Sequence, residues 1–428
     1  MKKKTYSSVT VKDVALAKVV AGRRGVPVDV GCDVGKDRIL VMLRWGEGDL
    51  DKPWRVRNPS DLTRLRDLVV ELARGRRLRI GMEPTGTYGD PLRQLLADAG
   101  LTVWRVGTKA THDYAEVFDG VPSQHDGKDA AVVAELLALG KGRVWPFVAD
   151  HPWEQALRYW VSRLVVENRQ LQGWVGRLEG LLMRHWPELS PGRRLTSVVL
   201  LQAVAHYGDP RRLAADPEAA ARLRRWSYRH WSAAQIAAVV QAAACSVGVR
   251  VGRWPRRLLR QYARRALQAK RQVQRARREL TRLGRGHAVL EAQAQVVGLA
   301  TAAVLWAYLG DPRGYESAGA YRKAMGLNLK ERSSGRYQGQ LKLSKRGQAL
   351  VRRLLYFAAL RWAQRPPVQR WYARKKKAVR GGGRLAAVAL MRKLALSLYP
   401  LAVQGGVFDA RRLFAKPPAA RSARGGQS

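Results

Sequence analysis

Hydrophobic and polar residues alternate along the first third of the chain in a way that predicts short strands separated by helices. Glycine and aspartate turn residues divide the first three strands, and an apolar stripe then marks a helix that Ser60 is expected to cap. The predicted elements are strands at Val28–Val34, Arg38–Trp45 and Trp54–Asn58, a helix at Ser60–Gly75, a strand at Leu78–Met82, a helix near Tyr88–Ala99, a strand at Leu101–Val106 and helical segments to Gly140. Their order is β-β-β-α-β-α-β-α.

The middle of the chain has a different pattern. Apolar residues from Leu157 to Leu182 recur at alternating spacings of three and four, which predicts a long amphipathic or coiled-coil helix. A second helix is predicted from Arg256 to about Leu283, so a helical hairpin is expected. Intramolecular packing and dimerisation both fit this pattern, and Asn168 on the seam fits either register selection or solvent exposure.

The last third is predicted to be mostly helical, with helices at Thr301–Leu309 and Gln348–Trp362. The expected domains are a basic N-terminal extension (1–26), an α/β domain (27–150), a helical region (151–290) with an inserted small helical module (189–255), a mostly α-helical C-terminal domain (291–415) and a disordered tail (416–428).

Charge divides the chain in the same place. The 428 residues contain 79 Lys and Arg against 33 Asp and Glu, a formal charge of +46. Residues 1–150 contribute +5 and residues 151–428 contribute +41. Because uncompensated like charge opposes compactness unless a polyanion neutralises it, this excess predicts nucleic acid as a partner. A solvated basic surface and a basic membrane-surface protein are the alternatives.

Cysteine usage and hydropathy favour a soluble protein of the cytoplasm. Cys32 and Cys245 lie far apart and form no metal-binding or disulfide pattern. Lys12, Lys18 and Arg23 interrupt any apolar segment of a signal peptide, and no membrane partner is expected. The most apolar window, residues 298–310, is shorter than the roughly 18 to 20 residues that span a bilayer.

Four carboxylates follow predicted strands or lie on the last predicted helix of the α/β domain. Asp33 lies in the first strand, Glu83 ends the fourth, and Asp126 and Asp129 share one helical face. The element order and these positions are typical of the ribonuclease H-like fold. Asp29 and Asp37 compete with Asp33, Asp126 could simply cap a helix, and Asp129 could be a surface acid beside Lys128.

Converging carboxylates repel one another and supply hard oxygen ligands, which favours Mg²⁺. Two ions about 3.5 to 4 Å apart could stabilise the attacking and leaving oxygens of a phosphodiester displacement. The sequence therefore predicts a two-metal site at Asp33, Glu83, Asp126 and Asp129.

Three sequence blocks carry a resemblance to a known family. Residues 33–37 (DVGKD), 83–88 (EPTGTY) and 126–130 (DGKDA) resemble the DEDD transposases of bacterial insertion sequences, the one-ten family. The resemblance implies a RuvC-like catalytic domain and a recombinase guided by a structured noncoding RNA, the bridge RNA, that the element encodes. Gln124-His125 replaces the Lys-Thr that usually precedes Asp126.

The C-terminal third resembles the transposase domain of the same family, through segments at 326–327, 333–335 and 343–347. The resemblance implies a serine nucleophile that becomes joined to DNA, best matched by Ser334, with Ser333 as the neighbour to exclude. Val296-Val297-Gly298-Leu299 departs from the family's Pro-Gly-Ile-Gly hairpin. Basic residues expected to bind nucleic acid are Lys330, Arg332, Arg336, Lys342, Lys345, Arg346, Arg352, Arg353, Arg374, Lys375, Lys376 and Lys377.

The resemblance also implies a homodimer or tetramer whose active sites combine the RuvC-like domain of one protomer with the transposase domain of another, acting on donor and target DNA. Three other interpretations remain open. They are a RuvC-type nuclease that uses water, an actin-like sugar kinase suggested by Asp33-Val34-Gly35 alone, and a non-catalytic architectural protein.

Tryptophan is frequent, and three of the 14 residues lie among arginines. Trp226, Trp231 and Trp254 could stack on unpaired bases or pack between helices.

Overall fold

The computed structural model describes residues 8–46, 48–84, 86–118, 126–145, 151–189, 195–330, 341–379 and 382–414. The chain divides into two compact units, residues 1–149 and 150–428, which are described separately.

An eight-stranded mixed sheet organises the first unit. Its strands are β1 (Val9–Thr10), β2 (Val28–Val34), β3 (Arg38–Trp45), β4 (Asp49–Leu50), β5 (Trp54–Arg57), β6 (Leu78–Met82), β7 (Val103–Arg105) and β8 (Arg143–Val144). The order across the sheet is β1-β5-β3-β2-β6-β7-β8, with β4 paired to β3. Strand β2 lies antiparallel to β3 and parallel to β6, and β6 lies parallel to β7. This arrangement confirms the predicted ribonuclease H-like order.

The helices of this unit are α1 (Leu16–Val20), α2 (Leu62–Ala73), α3 (Asp90–Asp98), α4 (Thr108–Phe118) and α5 (Asp126–Ala138). Helix α2 buries Leu62, Leu65, Leu68, Val69 and Leu72, the stripe predicted from the sequence. Burying a side chain of this size stabilises the fold by about 1.5 to 3 kcal/mol. The core therefore fixes the positions of the strands that carry the acidic residues.

Two local features differ from prediction. Ser60 does not cap α2, because the helix begins after Asp61, whose carboxylate accepts hydrogen bonds from Arg57 instead. The segment before β2 pairs with the sheet through β1 and buries Val11 and Val14 in the core. Its apolar residues are too few to predict this packing from periodicity.

Two long helices form the hairpin of the second unit. Helix α6 (Pro152–His185) packs along α11 (Arg253–Gly284). Between them lie α7 (Val198–His206), α8 (Pro210–Ala214), α9 (Ala219–Trp226) and α10 (Ala233–Ala244), which share a core with the ends of the hairpin. The predicted hairpin packs within the chain, and the Asn168 side chain donates to the Leu164 carbonyl at 2.7 Å.

The C-terminal part is helical, as predicted. It contains α12 (Ala288–Val297), α13 (Leu299–Leu309), α14 (Ala318–Ala324), the strand pair β9 (Leu329–Lys330) and β10 (Lys342–Leu343), α15 (Ala349–Trp362), α16 (Val368–Ala378) and α17 (Gly382–Gln404). Helices α12 and α13 meet at 118°. Gly298 between them has φ +83°, a conformation that glycine tolerates.

Helix α17 was not predicted individually, because it is apolar on most sides and shows little periodicity. Among the described residues, α17 is the one single helix whose length and apolar composition would allow it to cross a membrane. Half of its most apolar 18-residue stretch is buried inside the protein. It contacts α12, α14, α15 and α16. Packing inside the helical unit therefore accounts for its apolar surface.

Candidate active site

Asp33 lies near the end of β2, in the centre of the sheet, and is partly buried. Burial and, to a smaller extent, the negative charges of Asp129 and Glu83 together raise the pKa of the Asp33 carboxyl to about 6, against a lowering effect of Arg38. These effects require the other two carboxylates to lie nearby. The structure thus brings together three of the four predicted acids.

Glu83 follows β6 directly and faces a hydroxyl. Thr111 Oγ1 lies 2.9 Å from Glu83 Oε2 and 2.9 Å from the Thr108 carbonyl oxygen. Both neighbours are acceptors, so the single hydroxyl proton is donated to one at a time. Thr111, on α4, is a buried site residue that the sequence analysis missed, since its role depends on a contact across 28 positions.

Two glycines bring the third acid into place. Gly31 on β2 and Gly81 on β6 are paired across the parallel ladder. A Cβ atom at Gly31 would lie 2.1 Å from the Ala130 carbonyl oxygen, and one at Gly81 would lie 2.5 Å from Leu137. Only glycine lets α5 approach the sheet this closely. The approach positions Asp129, next to Ala130, beside Asp33.

Asp126 begins α5, in agreement with its predicted helical placement, but its side chain lies outside the described residues. Lys128, proposed above as the neighbour of a surface acid, is buried at 1% exposure. The environment of Asp129 is therefore not an open solvent-exposed helix face.

The competing acids have other partners. Asp29 is buried and accepts two hydrogen bonds from Arg79, at 2.6 and 2.8 Å. Asp37 is exposed in the β2–β3 turn. Among the three candidates, Asp33 is the one that interacts with the other acids.

Asn58 ties together the two loops that carry the first and second motifs. Its side-chain nitrogen donates to the Gly35 carbonyl at 3.1 Å and to the Tyr88 carbonyl at 3.2 Å. Its backbone N–H donates to the Asp37 carbonyl at 3.0 Å. The sequence analysis missed Asn58, because nothing in its own neighbourhood marks it as a bridge.

The donor set is chemically suited to a hard cation, since it consists of carboxylates whose mutual repulsion a cation would relieve. Within the described part of the chain, however, no group of three or more His, Cys, Asp or Glu residues is arranged to hold a metal ion. The Asp126 side chain is not among those described residues. The described geometry brings the acids near one another without forming a coordination sphere.

In the second unit, several predicted nucleic-acid-binding residues lie on surface elements. Lys330 and Lys342 are paired across β9 and β10, and Arg374 to Lys377 lie on α16. Arg352 donates to the Gly347 carbonyl at 2.6 Å, and Arg353 lies over the Phe357 ring. Residues 331–340, which include Arg332, Ser333, Ser334 and Arg336, lie outside the described residues.

The three tryptophans differ in exposure. Trp226 and Trp231 pack against the core of the hairpin module. Trp254 is 62% exposed, with the guanidinium groups of Arg253 and Arg257 5.2 and 5.9 Å from its ring centre. Helix packing therefore accounts for Trp226 and Trp231, whereas the ring of Trp254 is available to a binding partner.

Two protein-family models match separate parts of the chain. A DEDD transposase model of IS110 elements matches residues 30–187. A second model, described as Transposase IS116/IS110/IS902 family, matches residues 292–374. A search of curated proteins found no match. The two models together span more than half of the chain, which belongs to the IS110 family of insertion-sequence transposases and is an enzyme that acts on DNA.

Proposed function

We propose that this transposase cuts and rejoins DNA strands with a carboxylate-bound Mg²⁺ site, a serine nucleophile and a guide RNA. The observation that supports the metal site most directly is the Asp33 pKa of about 6, which burial of the carboxyl and then the negative charges of Asp129 and Glu83 raise above its ordinary value. Acids kept close at a cost in free energy are typical of functional sites.

In this proposal Asp33, Glu83, Asp126 and Asp129 hold two Mg²⁺ ions, which would supply charge stabilisation at the reacting phosphate. Thr111 orients the Glu83 carboxylate through its hydroxyl. Asn58 fixes the relative positions of the loops after β2 and β6. These residues set the geometry of the acidic site before DNA binds.

Ser334 is the proposed nucleophile. Its oxygen forms a bond to phosphorus as the bond between phosphorus and the deoxyribose oxygen breaks. The serine proton passes to a base or water, and the displaced deoxyribose oxygen takes up a proton from an acid or water and leaves as a hydroxyl. A serine hydroxyl is a weak nucleophile at neutral pH, so this step needs electrostatic help. Lys330, Lys342, Lys345 and Arg346 supply positive charge in the sequence around it.

A covalent protein–DNA adduct tests this assignment. Ser334→Ala is expected to abolish the adduct while DNA binding persists, and Ser333→Ala is the matched control that should retain it. An adduct formed by Ser334→Ala would remove Ser334 from the role. Strand cleavage without any adduct in the unmodified protein would favour the water-using nuclease instead.

The metal assignment has a separate test. Asp33→Asn is expected to lower Mg²⁺-dependent strand cleavage by at least about 100-fold, because the variant loses a carboxylate proposed to hold the ions that would stabilise charge at the reacting phosphate. Asp37→Asn, an exposed acid four residues away, is the control. Equal cleavage by the two variants would contradict the assignment.

The RNA partner is proposed from the charge of +41 on residues 151–428, which suits a polyanion, and from what the resemblance of the sequence blocks implies. Expression with the DNA that flanks the gene is expected to copurify one discrete structured RNA, which sequencing would identify. Strand exchange should then require both this RNA and Mg²⁺. Heterogeneous RNA, or exchange that survives removal of RNA, would contradict guidance.

The functional assembly proposed is a homodimer or tetramer that acts on DNA in the bacterial cytoplasm, with each active site shared between protomers. Mixing an Asp33→Asn protein with a Ser334→Ala protein tests this directly. Each variant keeps intact the domain in which the other is substituted. A site shared between protomers therefore predicts recovery of part of the activity in the mixture, whereas a site within one chain predicts none.

A further inference from the structure

An arginine-lined groove on the hairpin has no role in the chemistry described above. It has a volume of about 600 Å³ and lies along the first half of α11. Its lining consists of six arginines and two glutamines: Arg253, Arg256, Arg257, Arg260, Gln261, Arg264, Arg265 and Gln268. No acidic side chain lines it within the described chain, so the groove has a strong positive potential.

The groove continues along the hairpin. A neighbouring groove of about 570 Å³ between α6 and α11 shares Arg265 and Gln268 with the first. Its lining also includes Trp174 and Arg177, and the Arg177 guanidinium lies 5.0 Å from the Trp174 ring centre. From Trp254 to Gln272 the path measures roughly 27 Å at 1.5 Å per helical residue. That length accommodates several nucleotides.

Three arginines of the groove have no acidic partner within the described ranges of the chain. None of Arg253, Arg257 and Arg264 forms an ion pair with an acid in the described residues, whereas Arg163 in the second groove pairs with Glu167 at 2.7 Å. Like charges three and four residues apart destabilise a helix by about 0.2 to 0.5 kcal/mol per pair. A bound polyanion would relieve this repulsion.

Trp254 provides the second, independent observation. Its ring is mostly exposed at the start of α11, and two arginines of the groove lie beside it. A large exposed aromatic ring next to a phosphate-binding surface is the arrangement that stacks an unpaired base. Paired DNA keeps its bases inside the helix, whereas the loops and single strands of a folded RNA present them.

We propose that Trp254 and the α11 arginine groove bind an unpaired stretch of RNA, with one base stacked on Trp254 and successive phosphates on the arginines. This inference rests on the proposed RNA partner and names where the chain holds it. The groove lies next to the inserted module, since Arg260 donates to the Ala205 carbonyl at 3.2 Å and Gly208 packs against Arg256 and Arg260. The insertion thus supports an RNA-binding surface.

The test uses the full-length, RNA-free protein and a fluorescent single-stranded oligouridylate of about 12 nucleotides, a size within the range of single-strand sites. Fluorescence anisotropy measures affinity at several salt concentrations. Trp254→Ala is expected to weaken binding about tenfold, and Trp254→Phe to restore most of it, since stacking needs only an aromatic ring. Tyr159→Ala, which removes another exposed aromatic residue of the hairpin, is the control.

Charge is tested separately. Arg257→Ala is expected to lower the slope of log affinity against log salt by about 0.7, the value for one phosphate contact with a single strand. Arg285→Ala removes the same charge just beyond the opposite end of α11 and should leave the slope unchanged. The proposed site would be overturned if the two arginine variants changed the salt slope equally, or if Trp254→Ala bound the oligouridylate with unchanged affinity.

Failure of the groove and failure of RNA guidance give different results. If a discrete RNA copurifies but Trp254→Ala and Arg257→Ala bind the oligouridylate as the unmodified protein does, the groove is excluded and guidance stands. If the oligouridylate binds through Trp254 but no discrete RNA copurifies, the groove stands and guidance fails. If Trp254→Ala weakens binding of a labelled DNA duplex as strongly as it weakens binding of the oligouridylate, the choice of unpaired RNA is contradicted.

Discussion

Gly31 of β2 and Gly81 of β6 are direct partners in the parallel ladder, and helix α5 lies against both. The contacts involve the backbone of Ala130 and Ala134 at Gly31 and the side chain of Leu137 at Gly81. The distance between the sheet and the helix that carries Asp129 is therefore set by the absence of two side chains. Neither glycine contributes a functional group to the acidic site, yet both determine its geometry.

Gly31→Ala should consequently damage both stability and catalysis. The new Cβ would lie 2.1 Å from the Ala130 carbonyl oxygen, so α5 has to move. Overpacking of this kind costs about 1 to 3 kcal/mol. We expect a lower thermal unfolding midpoint and a loss of strand cleavage, measured on the same preparation. Gly107→Ala, where a Cβ meets no atom within 4 Å, is the control, and a fully active Gly31→Ala protein would contradict the role of the close approach.

Asn58 is expected to position the site without touching the substrate. Asn58→Asp removes both side-chain donors and places a carboxylate against the carbonyls of Gly35 and Tyr88. At about 0.5 to 1.5 kcal/mol per lost hydrogen bond, stability should fall by about 1 to 3 kcal/mol. The Mg²⁺ concentration that gives half-maximal cleavage should rise, because the loops after β2 and β6 are no longer tied together.

Asn168→Asp provides the comparison for that experiment. Asn168 also donates one hydrogen bond to a carbonyl oxygen, but it lies on α6 in the other unit. The Asn168→Asp variant should have a lower free energy of unfolding and an unchanged Mg²⁺ concentration for half-maximal cleavage. If both variants shift the metal dependence equally, Asn58 has only a structural role.

The sequence predicted the sheet well and the contacts of the site poorly, for identifiable reasons. Strands β2 and β3 match prediction in both bounds, since apolar runs ended by Gly35-Lys36-Asp37 leave little ambiguity. The same pattern placed Asp33 and Glu83 at strand ends. Strands β2 and β6 are parallel and about 50 residues apart, so no tight turn fixes their register, and the Gly31–Gly81 pair became visible only in the folded chain.

Helix α17 shows a second limit. Apolar residues occur all around it, and Pro400 lies inside it, so neither a 3.6-residue period nor a clear stop signal marks the helix. Thr111 illustrates a third limit, because a hydroxyl that contacts Glu83 from another helix has no distinguishing sequence context. The order of the sequence blocks identified the transposase family, whereas tertiary packing supplied the contacts around the acidic residues.

The raised pKa of Asp33 predicts how stability depends on pH in the metal-free protein. Since its folded pKa, about 6, exceeds the ordinary aspartate pKa of 3.8, the folded state favours the protonated acid. The Asp33 contribution is therefore most favourable below pH 4 and is lost as the pH rises through 6. Asp33→Asn should raise the free energy of unfolding at pH 8 by about 1 to 2 kcal/mol, after allowance for solvent screening.

Thermal unfolding with EDTA at pH 4 and pH 8 measures this effect. The stabilisation by Asp33→Asn should be present at pH 8 and nearly absent at pH 4, while Asp37→Asn should change little at either pH. Stabilisation of the same size at both pH values would show that the Asp33 charge is not the cause.

The ion pair between Asp29 and Arg79 should matter for folding and not for catalysis. Asp29 is buried and its two carboxylate oxygens accept from Arg79 Nε and a terminal guanidinium nitrogen. Arg79→Met leaves a buried charge without its partner, a change that costs about 3 to 5 kcal/mol for a fully buried pair and somewhat less here, since Arg79 is partly exposed.

The double variant Asp29→Asn/Arg79→Met should recover part of that loss, because it removes the unpaired charge together with its partner. Chemical denaturation gives the two free energies, and strand cleavage is measured on the double variant at a temperature where it is folded. We expect cleavage within about threefold of the unmodified protein, since this pair lies outside the interacting acids. A 100-fold loss would instead place Asp29 in the catalytic machinery and would require a new choice between Asp29 and Asp33.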